Sequence, residues 1–292
     1  MKVKLDFFCK KHAANFNGNT KRAWLTFLKI LIRYFKIIKN IPDTSFSLRD
    51  FNSFKKFMLA KKLSNNTICA YSDKLKALLR AAARDGYSVC KDLHLMTHVH
   101  DEAQSIYLTS AEVDRIYRLK LGEGLSIVRD YFVIGCLTGL RFSDYSRLTK
   151  SNIFDDKLIV LHQKTNIKVV IPMHTYIKDI FKKYKNNIPA CPTQSYFNRM
   201  LPTIGCRARI NDRIIIERKI DDQITITAKL KHEMISSHTA RRSAATNMYL
   251  AGIPAFRIML ITGHSTEHSF FKYIRIGRQE NADLLSKNAF FN

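Results

Sequence analysis

Near its C-terminus the chain reads His238-Thr-Ala-Arg241, then Gly263-His264, then Tyr273 nine residues further on. An isolated arginine lies about a hundred residues upstream, in Thr138-Gly-Leu-Arg141-Phe-Ser-Asp144. Two arginines, two histidines and a tyrosine are the groups needed to hold and attack a phosphodiester without a metal. Each guanidinium can fork two hydrogen bonds onto non-bridging oxygens. The imidazoles can donate to phosphate or move protons near neutral pH, and the phenol can serve as covalent nucleophile. A free phenol, with a pKa of ~10, is only about 0.1% ionised at pH 7. Attack therefore requires a proton acceptor or enough positive charge to lower that pKa.

The spacing predicts where these groups stand. His238 and Arg241 are three apart and project from one side of a helix start, which Ser236, Ser237 or Thr239 can cap. Gly263 permits a turn that lets His264 enter a cleft. His268 is close by, but only His264 lies nine residues before the tyrosine. Arg141 follows an apolar helix over 127–137 and the break at Gly139, which places it in the first turn of a new helix, where phosphate is favoured. Asp144, three residues on, would share its face and hold the arginine or its surroundings in place.

This order and spacing resembles the tyrosine recombinase (phage integrase) family. The resemblance covers most of residues 105–280 and assigns Arg141, His238, Arg241 and His264 to the phosphate-activating set, with Tyr273 as nucleophile. Arg242 stands where the family often carries histidine, so DNA contact or packing is expected of it. The family's mobile lysine, which protonates the leaving 5′ oxygen, lies on a β-hairpin. Asp156-Lys-Leu-Ile-Val-Leu, a turn at Gln163-Lys-Thr-Asn and Lys168-Val-Val-Ile-Pro read as that hairpin, making Lys164 the candidate, with Lys168 the alternative. The resemblance implies site-specific cleavage and rejoining of double-stranded DNA through a 3′-phosphotyrosyl link, in integration, excision or inversion, by four protomers on two sites. A type IB topoisomerase-like enzyme and a non-catalytic DNA-binding regulator of the same fold are the competing readings.

Composition agrees with a polyanionic partner. The net charge is +25, with 46% hydrophobic and 25% charged residues, values that suit a folded chain with an unusually basic surface. Residues 1–100 carry 20 Lys/Arg against six Asp, a balance of +14, so charge is densest in the first third.

That first third reads as helices. Apolar residues recur at three and four through 22–35, Ser47 begins another helix, and a third runs amphipathically from Ser64 to Gly86. The pattern, with Ser64, Thr67 and Tyr71, resembles the SAM-like core-binding domain of the same family. The expected organisation is mainly α with small β-hairpins (α+β): a helical DNA-binding domain over 1–102, a linker over 94–103, and a catalytic domain over 103–292. Lys61, Lys62, Asn65, Thr67, Lys74 and Arg80 are the expected N-terminal DNA contacts. Thr109 and Glu112 form a capping-box pattern, and a second hairpin is expected from 213–218 and 224–227 with its turn at Asp221-Asp222.

Six scattered cysteines without a Cys-x-x-Cys pair suggest neither a zinc site nor a disulfide framework. Cys136, inside an apolar run, is expected to pack as a small hydrophobe. There is no carboxylate cluster for Mg²⁺ and no Walker loop, so neither metal nor cofactor is expected. The charged start argues against a signal peptide, and the apolar stretch 131–140 is half a membrane span. A reduced, cytoplasmic setting, bacterial or phage-encoded, is expected. The end of the chain, 281–292, offers Leu284, Leu285, Phe290 and Phe291 for burial in a groove, on a neighbouring protomer or in cis.

Overall fold

Apolar side chains spaced three and four apart build the first helices. In the computed structural model these are α1 (Leu5–Ala14), α2 (Gly18–Ile38), α3 (Leu48–Ala60) and α4 (Asn65–Arg84). Described are residues 3–101, 105–220, 223–286 and 290–291. The chain divides into two units, 1–103 with 217–225 and 104–216 with 226–292. In the first, α2 buries Trp24, Phe27, Leu28, Leu31, Tyr34 and Phe35 along one stripe, against Phe54 and Met58 of α3 and Ile68, Leu75 and Leu79 of α4. Ser47 and Asp50 complete a capping box at the start of α3. The Ser64 hydroxyl accepts from the Thr67 amide at α4, and such caps stabilise a helix by about 1 kcal/mol each.

The second unit is organised by α6 (Glu123–Thr138), which follows α5 (Ser110–Arg118). Val128, Tyr131, Phe132, Val133, Ile134 and Cys136 of α6 are all buried, and so are the paired Arg129 and Asp130, so the helix is enclosed nearly all round and sits centrally. Burial also pushes the Cys136 thiol well above its ordinary pKa, in keeping with a packing role. The Thr109–Glu112 capping box is present at α5, and the buried Glu112 carboxylate is matched by Lys231 Nζ at 2.7 and 2.8 Å.

After α7 (Phe142–Tyr145) comes an antiparallel sheet of β1 (Ile153–Phe154), β2 (Lys157–Leu161) and β3 (Lys168–Pro172). Leu158 faces Ile171 and Val160 faces Val169 across the ladder, and all four are buried, the alternation a one-sided sheet requires. The sequence pattern indicated only two of these strands and placed Asp156 in one. Instead Asp155 and Asp156 take positive φ of 41° and 58° and form the tight turn that pairs Phe154 with Lys157.

Helices α8 (Thr175–Lys183) and α9 (Gln194–Arg207) precede a two-stranded sheet of β4 (Arg213–Ile220) and β5 (Gln223–Leu230). The turn expected at Asp221-Asp222 lies outside the described residues. The unit ends with α10 (Ser237–Leu250), α11 (Ala255–Thr262), α12 (Glu267–Phe271) and α13 (Arg278–Leu285). Of the apolar end of the chain, Phe290 is 86% and Phe291 59% exposed. No helix among the described residues is long and apolar enough to cross a membrane.

Candidate active site

Helix α10 carries the first pair of candidate groups. Ser236 is its N-cap residue, and the Ser236 amide donates to Thr239 Oγ1 at 3.0 Å. The Ser243 hydroxyl and the Asn247 amide bond the Leu108 backbone at 2.8 and 3.0 Å, which anchors the helix to the segment before α5. From its first turn His238 keeps part of its surface open to solvent while its ring packs edge-on to Tyr273, and Arg241 is 1% exposed.

Arg241 is held by two neutral acceptors. Its Nη1 donates to the Gly139 carbonyl at 2.7 Å and its Nη2 reaches His264 Nε2 at 3.0 Å. Its Nε has no hydrogen-bond partner among the described residues. Burial first, and the neighbouring Arg141 next, push this guanidinium down to about 10. A buried cation without a direct carboxylate partner is costly, and an anion entering the site would relieve that cost.

Two glycines make this geometry possible. Gly139 ends α6 at φ +67°, and a β-carbon on it would stand 2.8 Å from Thr262 Cγ2. Gly263 ends α11 at φ +68°, and a β-carbon there would meet the His162 ring at 2.9 Å. Both positions combine a left-handed backbone with close approach, so glycine is required.

His264, just past α11, has a determined proton. The guanidinium has no acceptor capacity, so His264 Nε2 accepts from Arg241 and the hydrogen sits on Nδ1, which donates to Thr262 Oγ1 at 2.8 Å. Thr262 in turn donates to the Ile258 carbonyl at 2.8 Å. Burial, then Arg241, Arg141, His162 and His238, lower His264 to about 3. Burial, then Arg242, Arg241 and Arg141, lower His238 to about 4. Both imidazoles are therefore neutral at pH 7.

Tyr273 lies at the end of α12, its amide bonded to Phe270 O at 2.7 Å. Its ring centroid is 5.2 Å from that of His238 and 4.7 Å from that of His264. The Arg241 Cζ sits 5.4 Å from the same ring centroid. Residues distant in sequence thus converge around one phenol.

Arg141 joins this group through a residue the sequence reading passed over. Its Nη1 lies 2.9 Å from Nδ1 of His162, which is fully buried at the end of β2. The signal available was a third histidine two residues before Lys164. Arg141 is the N-cap of α7, in extended backbone, rather than a first-turn residue, and α7 spans one turn only. Asp144 therefore acts on the surroundings of Arg141 rather than on its guanidinium. Asp144 accepts from the Gln163 amide at 3.0 Å, so the carboxylate braces the hairpin, while its other oxygen stands 3.5 Å from His162 Nδ1.

Lys164 and Lys168 are both exposed. Lys164 lies in the loop joining β2 and β3, and among the described residues its side chain makes no hydrogen bond or ion pair with the cluster. Arg242 is half-buried, its pKa lowered by burial and then by Arg275. Lys61, Lys62 and Arg80 are exposed and Lys74 is half-buried. The Thr67 hydroxyl bonds Ser64 Oγ at 2.8 Å. Asn65 is a correction to the expected DNA contacts. It is buried, its amide nitrogen on Asp101 Oδ1 and its oxygen on His98 Nε2, both at 2.9 Å. Its side chain holds the end of the linker because the first turn of α4 points it inward. Among the described residues no group of three or more His, Cys, Asp or Glu is placed to hold a metal ion.

Comparison with solved structures places the fold among DNA-bound integrases. The Tn1549 transposon integrase in complex with a circular intermediate DNA superposes with a TM-score of 0.73 at 18% identity, covering 98% of this chain and 100% of that one. A lambda integrase dimer bound to a COC′ core site gives 0.70 at 14% identity, over 94% of this chain and 78% of that one. A lambda integrase tetramer bound to a Holliday junction gives 0.67 at 17%, over 90% and 76%. No curated protein matches the chain. At these identities the likeness is one of fold. The sequence models are more specific: the phage integrase SAM-like domain matches residues 5–94 and the phage integrase family matches residues 100–280. The chain belongs to the phage integrase family and is a site-specific tyrosine recombinase.

Proposed function

We propose that Tyr273 is the nucleophile of this recombinase and that Arg141, His238, Arg241 and His264 activate the scissile phosphate. The observation that carries this reading is the convergence on the Tyr273 ring of His238, His264 and a buried Arg241 whose hydrogen-bond acceptors are both neutral. A phosphate in this cleft supplies the missing negative charge, and the arginines stabilise the further charge that develops in the transition state.

The phenol oxygen forms a bond to phosphorus as the bond to the 5′ oxygen breaks. The phenolic proton passes to neutral His238, and the leaving 5′ oxygen takes a proton from Lys164, carried by the loop between β2 and β3. A 5′-hydroxyl from the partner strand reverses these steps. The bond energy is retained in the 3′-phosphotyrosyl link, so neither nucleotide nor metal enters the scheme.

The two sequence-model matches support residues 1–102 as the DNA-gripping domain and 103–292 as the catalytic one. The tetramer recorded for lambda integrase supports assembly of four protomers on paired sites. The transposon and phage origins of the relatives support integration or excision of a mobile element in a bacterial or phage-infected cytoplasm.

A nicked suicide DNA substrate tests the assignment, because it traps the covalent adduct. Wild-type protein should accumulate a protein–DNA band that resists denaturation. Tyr273→Phe, which removes only the phenol oxygen, should bind the same DNA without forming it. An adduct from the Phe variant would mean that another residue attacks.

A further inference from the structure

We infer that His162 is a positioning residue that presets Arg141 for the phosphate. The inference rests on the role proposed above for Arg141. The observation behind it is a fully buried imidazole whose Nδ1 faces Arg141 Nη1 at 2.9 Å.

The backbone of His162 is fixed at the base of the β2–β3 loop. Its amide donates to the Ile167 carbonyl at 2.9 Å, and its own carbonyl accepts from the Asn166 amide at 2.9 Å. The ring packs against Gly263, where an added β-carbon would lie 2.9 Å from Cε1, 3.2 Å from Nε2 and 3.3 Å from Nδ1. Loop geometry on one side and the end of α11 on the other thus leave the ring no alternative place.

The protonation follows from the partners. Arg141 can only donate, so Nδ1 must present its lone pair and the imidazole is neutral. The charged or titratable groups acting on it are Arg141, Arg241 and Asp144, and burial outweighs the carboxylate in lowering its pKa. Asp144 does not take the role itself: one oxygen is held by the Gln163 amide, and the other, 3.5 Å from Nδ1, has no hydrogen-bond partner among the described residues and makes none with Arg141.

Arg141 needs such a partner. It is half-buried on a one-turn helix, in extended backbone, and its side chain is long and rotamer-rich. A buried acceptor removes that freedom before DNA arrives, so the guanidinium meets the phosphate already oriented.

Adduct formation under single-turnover conditions at saturating DNA, with affinity measured separately, tests this. His162→Asn carries Oδ1 where Nδ1 was, keeping an acceptor; His162→Leu fills similar space without one. His162→Ala and His162→Leu should slow cleavage about 10- to 100-fold, the scale of a catalytic group displaced by an ångström, at unchanged DNA affinity. His162→Asn should restore most of the rate. Leu as fast as wild type, or Asn as slow as Leu, would overturn the inference, and this pair decides it even if the Ala variant fails to fold. Failure of the wild type to form any adduct would instead remove the catalytic reading on which it stands.

Discussion

Gly139→Ala concentrates three structural demands in one methyl group. The residue ends α6 at φ +67°, and its new β-carbon would lie 2.8 Å from the buried Thr262 Cγ2. The left-handed backbone costs an L-residue about 1–2 kcal/mol. Overpacking a filled site adds about 1–3 kcal/mol, and the stiffer unfolded chain returns roughly 0.4–1 kcal/mol. The net expectation is a loss of about 1–4.5 kcal/mol from the catalytic unit, a midpoint fall of roughly 3–15 °C. Cleavage should fall as well, since the Gly139 carbonyl anchors Arg241 at 2.7 Å. Urea denaturation followed by circular dichroism measures the loss, with two comparisons. Gly124→Ala lies within α6 and meets nothing within 4 Å, so it should be neutral or stabilising by up to about 1 kcal/mol. Thr262→Ser removes the obstructing methyl group, so in a double-mutant cycle it should recover the steric share of the loss and leave the backbone share. A Gly139→Ala variant as stable as wild type, or a cycle with no coupling, would refute the argument.

Lys164→Ala should lower adduct formation on an ordinary DNA end at least about 10²-fold, the lower range for a general acid, whereas Lys168→Ala should change it little. A substrate with a 5′-bridging sulfur leaving group, which needs no proton, should rescue Lys164→Ala; the reverse ranking would exchange the two lysines. The fold holds His264 at about 3 and His238 at about 4, whereas the unfolded chain binds protons on both near 6.5. The unfolded state therefore takes up more protons below that pH, so stability is fully present above about 6.5 and declines as pH falls toward 4. His264→Gln should flatten the decline in a pH series of urea midpoints, and an unchanged slope would count against neutral burial. Removal of residues 281–292, which include the exposed Phe290 and Phe291, should leave single-site binding intact while lowering two-site complex formation in gel shifts. Unchanged two-site assembly would exclude docking of this segment on a neighbour.

Much of the molecule was legible because it depends on local periodicity and a rare order of residue types. The stripe of α2, the caps at Ser47, Ser64 and Thr109, and the β2–β3 alternation follow from positions a few residues apart. His238, Arg241, His264 and Tyr273 were identifiable one by one and are found around one ring. Less accessible were β1, only two residues long, and the inward turn of Asn65, which exchanges a surface role for a hold on Asp101.

The sequence alone determined the helical elements, the order of the chemical groups and the family, because spacing along a chain specifies which face of a helix a side chain takes. Only the tertiary structure decided the wiring between them. Arg241 bonds a carbonyl 102 residues away, at Gly139, and Arg141 leans on His162 rather than on its sequence neighbour Asp144. Such partners are chosen by how α6, α10, α11 and the β2–β3 hairpin pack, and close packing at Gly139 and Gly263 has no signature in the spacing of charged residues. Neutral histidines beside uncompensated arginines arise the same way: burial and proximity set their protonation, and both exist only once the chain has folded.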